Sequence, residues 1–566
     1  MNIAARVPAL SLLLLFGLLM SCGFERDANV ADTIIRNGVI YDGSGAAPTR
    51  GDLAIVGDRI VAVGELKAWR SEQDVDADGL AVAPGFINIL SWANDSLLVD
   101  GRGLSDLMQG VTLEVFGEGW SMGPLNPAMK QEMEAQGFAN GTKISWTRLD
   151  EYLEGLVQRG VSVNVASFVG AATVRIHELG YEDRPPTEEE LHRMRSLVAQ
   201  AMQDGALGVG SSLIYAPGAY ADTDEIKALV EEAARYGGGY ISHLRSEADN
   251  FLQALDELID IGEDTGARVE AYHLKAAGSP NWPKMRQAIE RIQQARDAGL
   301  KVGANMYPYT AGATGLTAAM PPWVQEGGLD AWVTRLKDPA IRTRVAAEMR
   351  APGEDWENLL LGASADGLLL LGFRNEALKP LIGKTLADVA TLRGTTPEET
   401  AMDLVIEDHS RVLTAYFLMS EDNVQLGLSQ PWVGIGSDGG AMAPEGEVLE
   451  SLTHPRAYGS FARFLGKYVR DEGVAPLADA IHRITGLQAD NWGLRDRGCL
   501  KNGCFADVVV FDPETITDHA TFANPHQLAT GVRDVFVNGE WALKRGEVTA
   551  ARAGQVVRGP GWIGEQ

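Results

Sequence analysis

Apolar positions along the chain fall into two textures. Near both ends they come in short runs broken by Gly and Asp: Thr33 to Tyr41, Gly51 to Gly64 and Leu80 to Val82, then Ala506 to Asp512, Val532 to Trp541 and Gly546 to Gly559. Such runs predict strands joined by tight turns, so a small β-sandwich domain built from both termini is expected, from residues 32–84 plus 491–566. In the middle, apolar runs such as Val161 to Val169 and Gly205 to Ser212 alternate with amphipathic stretches, Thr187 to Asp204 and Thr223 to Gly237. In those helices Thr187 and Thr223 are the expected N-caps, with Glu190 and Glu225 making the first turns acidic. Strand and helix alternating through short links predict parallel strands, and residues 85–490 are expected to form a (β/α)8 TIM-like barrel of the α/β class. About 312–408 the pattern loosens around Trp323, Trp332 and Trp356. That stretch is expected to be an irregular insertion on a barrel loop, a candidate lid.

Three of the middle runs end in a residue that can do chemistry. Pro431 to Gly440 delivers Asp438, Gly239-Tyr-Ile-Ser ends in His243, and Ala267 to Tyr272 ends in His273. A barrel keeps its chemistry at the C-terminal ends of its strands, so the three are expected to converge. Two neutral imidazoles and a carboxylate then make a metal-and-base constellation. Each residue taken singly reads equally well as a locally satisfied polar group; it is the agreement of three strand ends that favours a site. The other histidines, His177, His192, His409, His482, His519 and His526, sit in polar contexts without a partner at metal spacing.

Composition narrows the field. At 566 residues, with 45% hydrophobic and 22% charged side chains, the chain is globular and too long for one ordinary core. A formal charge of −28 repels polyanions, which argues against nucleic acid and against anionic membrane surfaces. Three cysteines, Cys22, Cys499 and Cys504, are too few for a disulfide-stapled scaffold. Cys499 and Cys504 are left as either a bridge or two packed thiols. The apolar run Leu10 to Met20 after Arg6 has the length of an export signal. It closes on Leu19-Met20-Ser21-Cys22, a lipoprotein-type cleavage box, so residues 1–22 are expected to be a signal peptide, 23–31 a tether and Cys22 a lipid anchor. The expected location is the periplasm or cell envelope.

Several motifs occur together and in order: Ala83-Pro-Gly-Phe-Ile-Asn88, Gln109-Gly-Val-Thr112, Ser242-His-Leu-Arg-Ser-Glu247, Tyr272-His-Leu-Lys275, Tyr307-Pro-Tyr-Thr-Ala-Gly312, Met419-Ser-Glu421, Ile435-Gly-Ser-Asp-Gly439, His454-Pro-Arg456 and Ala523-Asn-Pro-His-Gln527. From about Thr33 to Gly559 the chain resembles the N-acyl-D-amino-acid deacylase (D-aminoacylase) branch of the amidohydrolase superfamily. The resemblance implies a barrel enzyme with zinc held by a cysteine and two histidines and an aspartate as general base. Carried over, the histidines are His243 and His273 and the base is Asp438. The cysteine has no counterpart: Gly117-Glu118-Gly119-Trp120 stands where the family reads Gly-Asn-Cys-Gly, which puts Glu118 in the ligand position, and a carboxylate oxygen is a legitimate zinc ligand. The superfamily's first-strand His-X-His is also replaced, by Leu90 and Trp92. Neither offers a nitrogen or oxygen ligand, so one zinc ion is expected, with Trp92 filling the vacated space as an apolar wall and Asn94 and Asp95 just beyond as oxygen-bearing neighbours.

The resemblance further implies that Tyr215, Lys275, Tyr307 and Arg456 hold the substrate's carboxylate and orient its carbonyl, a role for which an arginine fork and a local cation suit a strongly acidic chain. His454 is placed behind them, and Arg245 with Glu247, two and four residues after His243, reads equally well as a structural ion pair under the barrel rim. The expected activity is zinc-dependent hydrolysis of N-acyl-D-amino acids or small D-residue peptides. The alternatives are hydrolysis of another amide, dipeptide, lactam or cyclic imide, and an inactive lipid-anchored binding protein.

Overall fold

In the computed structural model the described residues are 29–353 and 356–564. The signal segment, Cys22 and most of the tether lie outside them.

Eight parallel strands form the centre: Phe86–Asn88, Val111–Phe116, Asn164–Ser167 continued by Val169–Gly170, Gly208–Ser212, Gly239–His243, Val269–Ala271, Val302–Met306 and Val433–Ile435. Each pairs in parallel with the next in chain order. The ring closes just beyond the last strand, where Ser91 bridges Gly439 in parallel, Asp438 donates its N–H to Leu90 O at 2.8 Å and Trp92 donates to Gly439 O at 2.9 Å. Every residue of the eight strands is buried, the condition of a parallel sheet covered on both faces. The outer helices follow their caps. Thr187 and Glu190 form a capping box on Glu188–Gln203 as expected. On Thr223–Arg235, however, the cap is Asp222, which accepts from Glu225 N–H. The helix starts one residue earlier than Thr223 implied, because an aspartate was available there to take the same bond.

Both termini enter one sheet of nine strands. Val30–Ile40, Thr49–Val56, Arg59–Gly64, Arg70–Asp76 and Ala81–Pro84 join Val508–Phe511, Val532–Val537, Glu540–Lys544 and Glu547–Val548, the two halves meeting where Ala81–Pro84 pairs antiparallel with Val508–Phe511. Ile35, Ile55, Val82, Val508 and Phe536 form its core. Cys499 and Cys504 beside it are joined by a disulfide, which resolves the two readings the sequence left open. Beyond Val548 the chain continues under the barrel, where Val165 N–H donates to Gln555 O and Gly559 N–H to Gly205 O.

Residues 311–428, between the seventh and eighth strands, are more regular than their sequence texture suggests. They build an antiparallel sheet of Ala311–Gly315, Leu368–Leu370 and Leu413–Phe417, flanked by helices Leu329–Leu336, Pro339–Met349, Leu386–Arg393 and Pro397–Asp408. Leu316, Trp332, Leu336, Leu370 and Leu404 give this excursion a core of its own, which also takes in Tyr307 and Tyr309 at the end of the seventh strand.

Candidate active site and metal centre

The predicted residues follow six of the eight strands, the second and the fourth to the eighth. Glu118 follows the second strand, flanked by Gly117 at φ +110° and Gly119 at φ +73°. A Cβ on Gly117 would lie 2.5 Å from Phe168 O, and one on Gly119 2.0 Å from Ser212 Oγ. Only glycines allow the left-handed turns that aim the Glu118 carboxylate into the barrel. His273 (φ +34°) and Asp438 (φ +50°) themselves occupy backbone that L-residues rarely adopt. Asn305 of the seventh strand accepts the His273 N–H at 2.9 Å, and Leu90 O accepts that of Asp438. These bonds fix two strained tips that point their side chains at one another.

Glu118 Oε1 lies 3.0 Å from His243 Nδ1 and 2.8 Å from His273 Nε2. One donor atom from each of the three residues falls within 4.8 Å of the others, and all three side chains are buried. Asp438 Oδ2 is 4.0 Å from His273 Nε2. Two imidazole nitrogens and a carboxylate oxygen, desolvated and convergent, form the donor set of a borderline cation such as Zn²⁺. The electrostatics agree. Burial would raise the Glu118 carboxyl, yet the two imidazoles outweigh it and hold the group far below its usual range. Burial holds His243 toward the neutral, ligating form. Burial and the Lys275 ammonium press His273 the same way, but the Glu247 and Glu118 carboxylates prevail and hold it at about 9, so a metal arriving there displaces a proton. Burial raises Asp438 to about 6 against the pull of Arg456.

Trp92 differs from expectation. It is no mere apolar wall: its indole N–H is shared between Glu118 Oε2 at 2.9 Å and Asp438 Oδ1 at 3.0 Å. Leu90 is buried. Asn94 and Asp95 lie on the helix Ala93–Val99, and neither joins a metal-binding group among the described residues.

The ion pair between Arg245 and Glu247 that the sequence allowed does not form. Arg245 pairs with Glu257, Nη2 to Oε1 at 2.9 Å. Glu247 instead lies behind the candidate metal ligands, with Oε1 at 3.0 Å from His273 Nδ1 and 2.5 Å from Lys275 Nζ, and Oε2 at 3.4 Å from His243 Nε2. One carboxylate thus faces the outer nitrogens of both imidazoles, the arrangement that orients metal-ligating histidines. The only sequence signal was its spacing, four residues after His243.

The expected substrate-binding residues surround this core. Tyr215 meets the His243 ring edge to face, centroids 5.2 Å apart. Lys275 is buried, with its ammonium 2.8 Å from His273 Nδ1 as well as on Glu247. Arg456 Nη1 is 2.7 Å from Asp438 Oδ2, and its guanidinium lies over the Tyr307 ring at 4.7 Å. Arg456 Nε is buried without a hydrogen-bond partner. His454 accepts the Arg456 N–H on Nδ1 and donates from Nε2 to Ala311 O at 2.8 Å, which requires a neutral ring, and burial drives its pKa well down. His526 hydrogen-bonds Ser451 O, away from the site.

A model described as the amidohydrolase family matches residues 73–542. The D-aminoacylase of Alcaligenes xylosoxydans xylosoxydans is 33% identical over 537 residues, 94% of this chain and 99% of that protein. A solved N-acyl-D-glutamate deacylase from Bordetella bronchiseptica, complexed with zinc and a phosphonate mimic of the tetrahedral intermediate, superposes with a TM-score of 0.78 at 30% identity, covering 94% of this chain and 100% of that one. A solved D-aminoacylase studied for one-metal activation and second-metal attenuation gives 0.78 at 31%, covering 93% and 100%.

Proposed function

This chain belongs to the amidohydrolase family, and on that premise we propose that it removes the acyl group from N-acyl-D-amino acids by hydrolysis at a site holding one zinc ion. The observation that carries the reading is the convergence of Glu118, His243 and His273 donor atoms within 4.8 Å, beside the Asp438 carboxylate. The relatives named above act on substrates of this class. The single ion rests on Leu90 and Trp92, which give the first strand no ligand atom.

When bound, the metal supplies Lewis acidity to the substrate carbonyl and to water. Asp438 takes a proton from the attacking water and passes it to the departing amine nitrogen, base first and acid second. Arg456 and the Trp92 N–H hold the two Asp438 oxygens and set their direction. The unpartnered Arg456 Nε, over the Tyr307 ring, receives the substrate's α-carboxylate. Lys275, bound to Glu247 and His273, acts from behind by orienting His273. Tyr215 bounds the site on the His243 side.

The test is elemental analysis of protein purified without added metal, together with a panel of N-acetyl-D- and N-acetyl-L-amino acids followed by chromatographic detection of the free amine. About one equivalent of zinc and hydrolysis confined to D-substrates is the expected result. Zinc-replete protein that hydrolyses no D-substrate overturns it. We further propose that the enzyme is exported and anchored through Cys22, a reading supported by the apolar run and cleavage box before it. Cys22→Ser is expected to move the protein from the membrane fraction to the soluble fraction; unchanged fractionation refutes the anchor.

A further inference from the structure

Beside the metal site lies a narrow cleft that the proposed chemistry does not use. Its lining includes Ile214, Tyr215, Met320, Gln325, Trp356 and Glu357. Two of these residues join it to the reacting centre. Tyr215 packs edge to face on the ligand His243. Glu357 Oε2 accepts the backbone N–H of Glu247 at 2.6 Å, and the Glu247 side chain holds His273.

The lining mixes the apolar Ile214, Met320, Pro322 and Trp356 with polar groups of Tyr215, Thr317 and Gln325 and one carboxyl. Glu357 is 7% exposed, and its Oε1 is buried without any hydrogen-bond partner. A buried carboxyl oxygen left unpaired is costly unless an incoming group satisfies it. The charges acting on it are mostly negative, Glu247 and Asp249 against the single Lys275. Lys275 is already bound to Glu247. Among the described residues no cation lines the cleft itself; the nearest rival is Arg411, whose guanidinium stands behind the lining, 3.4 Å from the Thr317 hydroxyl and 5.4 Å from the centre of the Tyr215 ring.

Resting on the deacylase reading above, we propose that this cleft is the pocket for the substrate's side chain, and that Glu357 makes it select apolar side chains or those ending in a hydrogen-bond donor over acidic ones. Ile214, Met320 and Trp356 remove the aliphatic stem from water. An amide or ammonium at the end of that stem pairs with Glu357 Oε1. A second carboxylate placed there is repelled by Glu357, and rejection by like charge is an effective way to build specificity. The neighbouring deacylase that acts on N-acyl-D-glutamate thus differs from this chain in the side chain accepted.

The experiment compares N-acetyl-D-glutamine, N-acetyl-D-leucine and N-acetyl-D-glutamate on zinc-loaded protein at pH 8.5, above the value of about 7 to which burial raises Glu357. Expected is a kcat/KM for the glutamine and leucine substrates at least about tenfold above that for glutamate. In Glu357→Gln, whose amide oxygen still accepts from Glu247 N–H, that ratio is expected to fall several-fold toward unity. In Gln325→Lys, which places a cation in the cleft, it is expected to fall or invert. A wild-type preference for glutamate overturns the proposal and points to Arg411; so does a preference for glutamine that neither variant alters. If no N-acyl-D-amino acid is hydrolysed, the deacylase reading fails separately. Calorimetric binding of the same three compounds then decides the pocket: glutamine and leucine compounds binding more tightly than glutamate supports it, and equal or inverted affinity overturns it.

Discussion

The tip of the first barrel strand and the tips of the fifth and sixth all bring a nitrogen-bearing ring to the same cavity, and they do opposite things with it. His243 and His273 present nitrogens that can give a lone pair to a cation, backed by the Glu247 carboxylate. Trp92 presents an indole nitrogen that can only donate a proton, and it gives that hydrogen bond to Glu118 and Asp438 together. The ring at the first strand therefore holds the site's carboxylates in place by donating to both of them. A donor can restrain a negatively charged cluster as a cation does, although it supplies no Lewis acidity.

That contrast can be broken most severely at the fifth strand. His243→Ala is expected to lose bound zinc and to lower kcat/KM by roughly a thousandfold or more, read by elemental analysis and amine release. Asp438→Asn should leave zinc in place while kcat falls by about 10² to 10⁴; loss of metal in this variant would make Asp438 a ligand rather than the base. Glu247→Gln removes the carboxylate behind both imidazoles, and zinc affinity measured by chelator competition is expected to fall by about 10- to 100-fold. Trp92→Phe sharpens the comparison directly. The ring stays and the N–H goes, so one equivalent of zinc should remain while kcat drops by about tenfold, the worth of a hydrogen bond to charged groups. Two equivalents of zinc in either wild type or this variant would refute the part assigned to the first strand.

The smallest effect concerns the barrel interior below the site. Burial raises Glu270 to about 7, with Asn305 the neighbour that most opposes it. A raised carboxyl is protonated in the native state and ionised in the unfolded state between its ordinary value of 4.5 and 7, so the native state binds the extra proton. Stability is therefore expected to fall as pH rises through that window, by on the order of a few kcal/mol, and to level off above it. Glu270→Gln should remove this part of the slope in denaturant melts at pH 5 and pH 8. An unchanged slope would show that other buried carboxyls carry it.

Much of the architecture was legible because it depends on main-chain pattern. Buried apolar runs ending in His243, His273 and Asp438 declare strand tips, and the glycines on either side of Glu118 declare a turn no other residue could make. What could not be read depended on where side chains rotate and which of two neighbours takes a bond. Glu247 could have turned to Arg245 and turned instead to His273 and Lys275. Trp92 looked like filler because composition shows its ring and not the direction of its N–H. Asp222 displaced Thr223 as a cap because helices can begin one residue either way. The order within residues 311–428 was hidden for a different reason: the core of that excursion draws on residues far apart in the chain, which no local window joins.

The sheet shared by the two termini also has a temporal meaning. Ala81–Pro84 finds its partner in Val508–Phe511, and at ribosomal speed the two emerge on the order of tens of seconds apart. Throughout that interval the N-terminal strands wait with an open edge, a template for other nascent chains. For this protein the interval between synthesis of its first and last strands, more than any step inside the barrel, is when a chaperone would matter most.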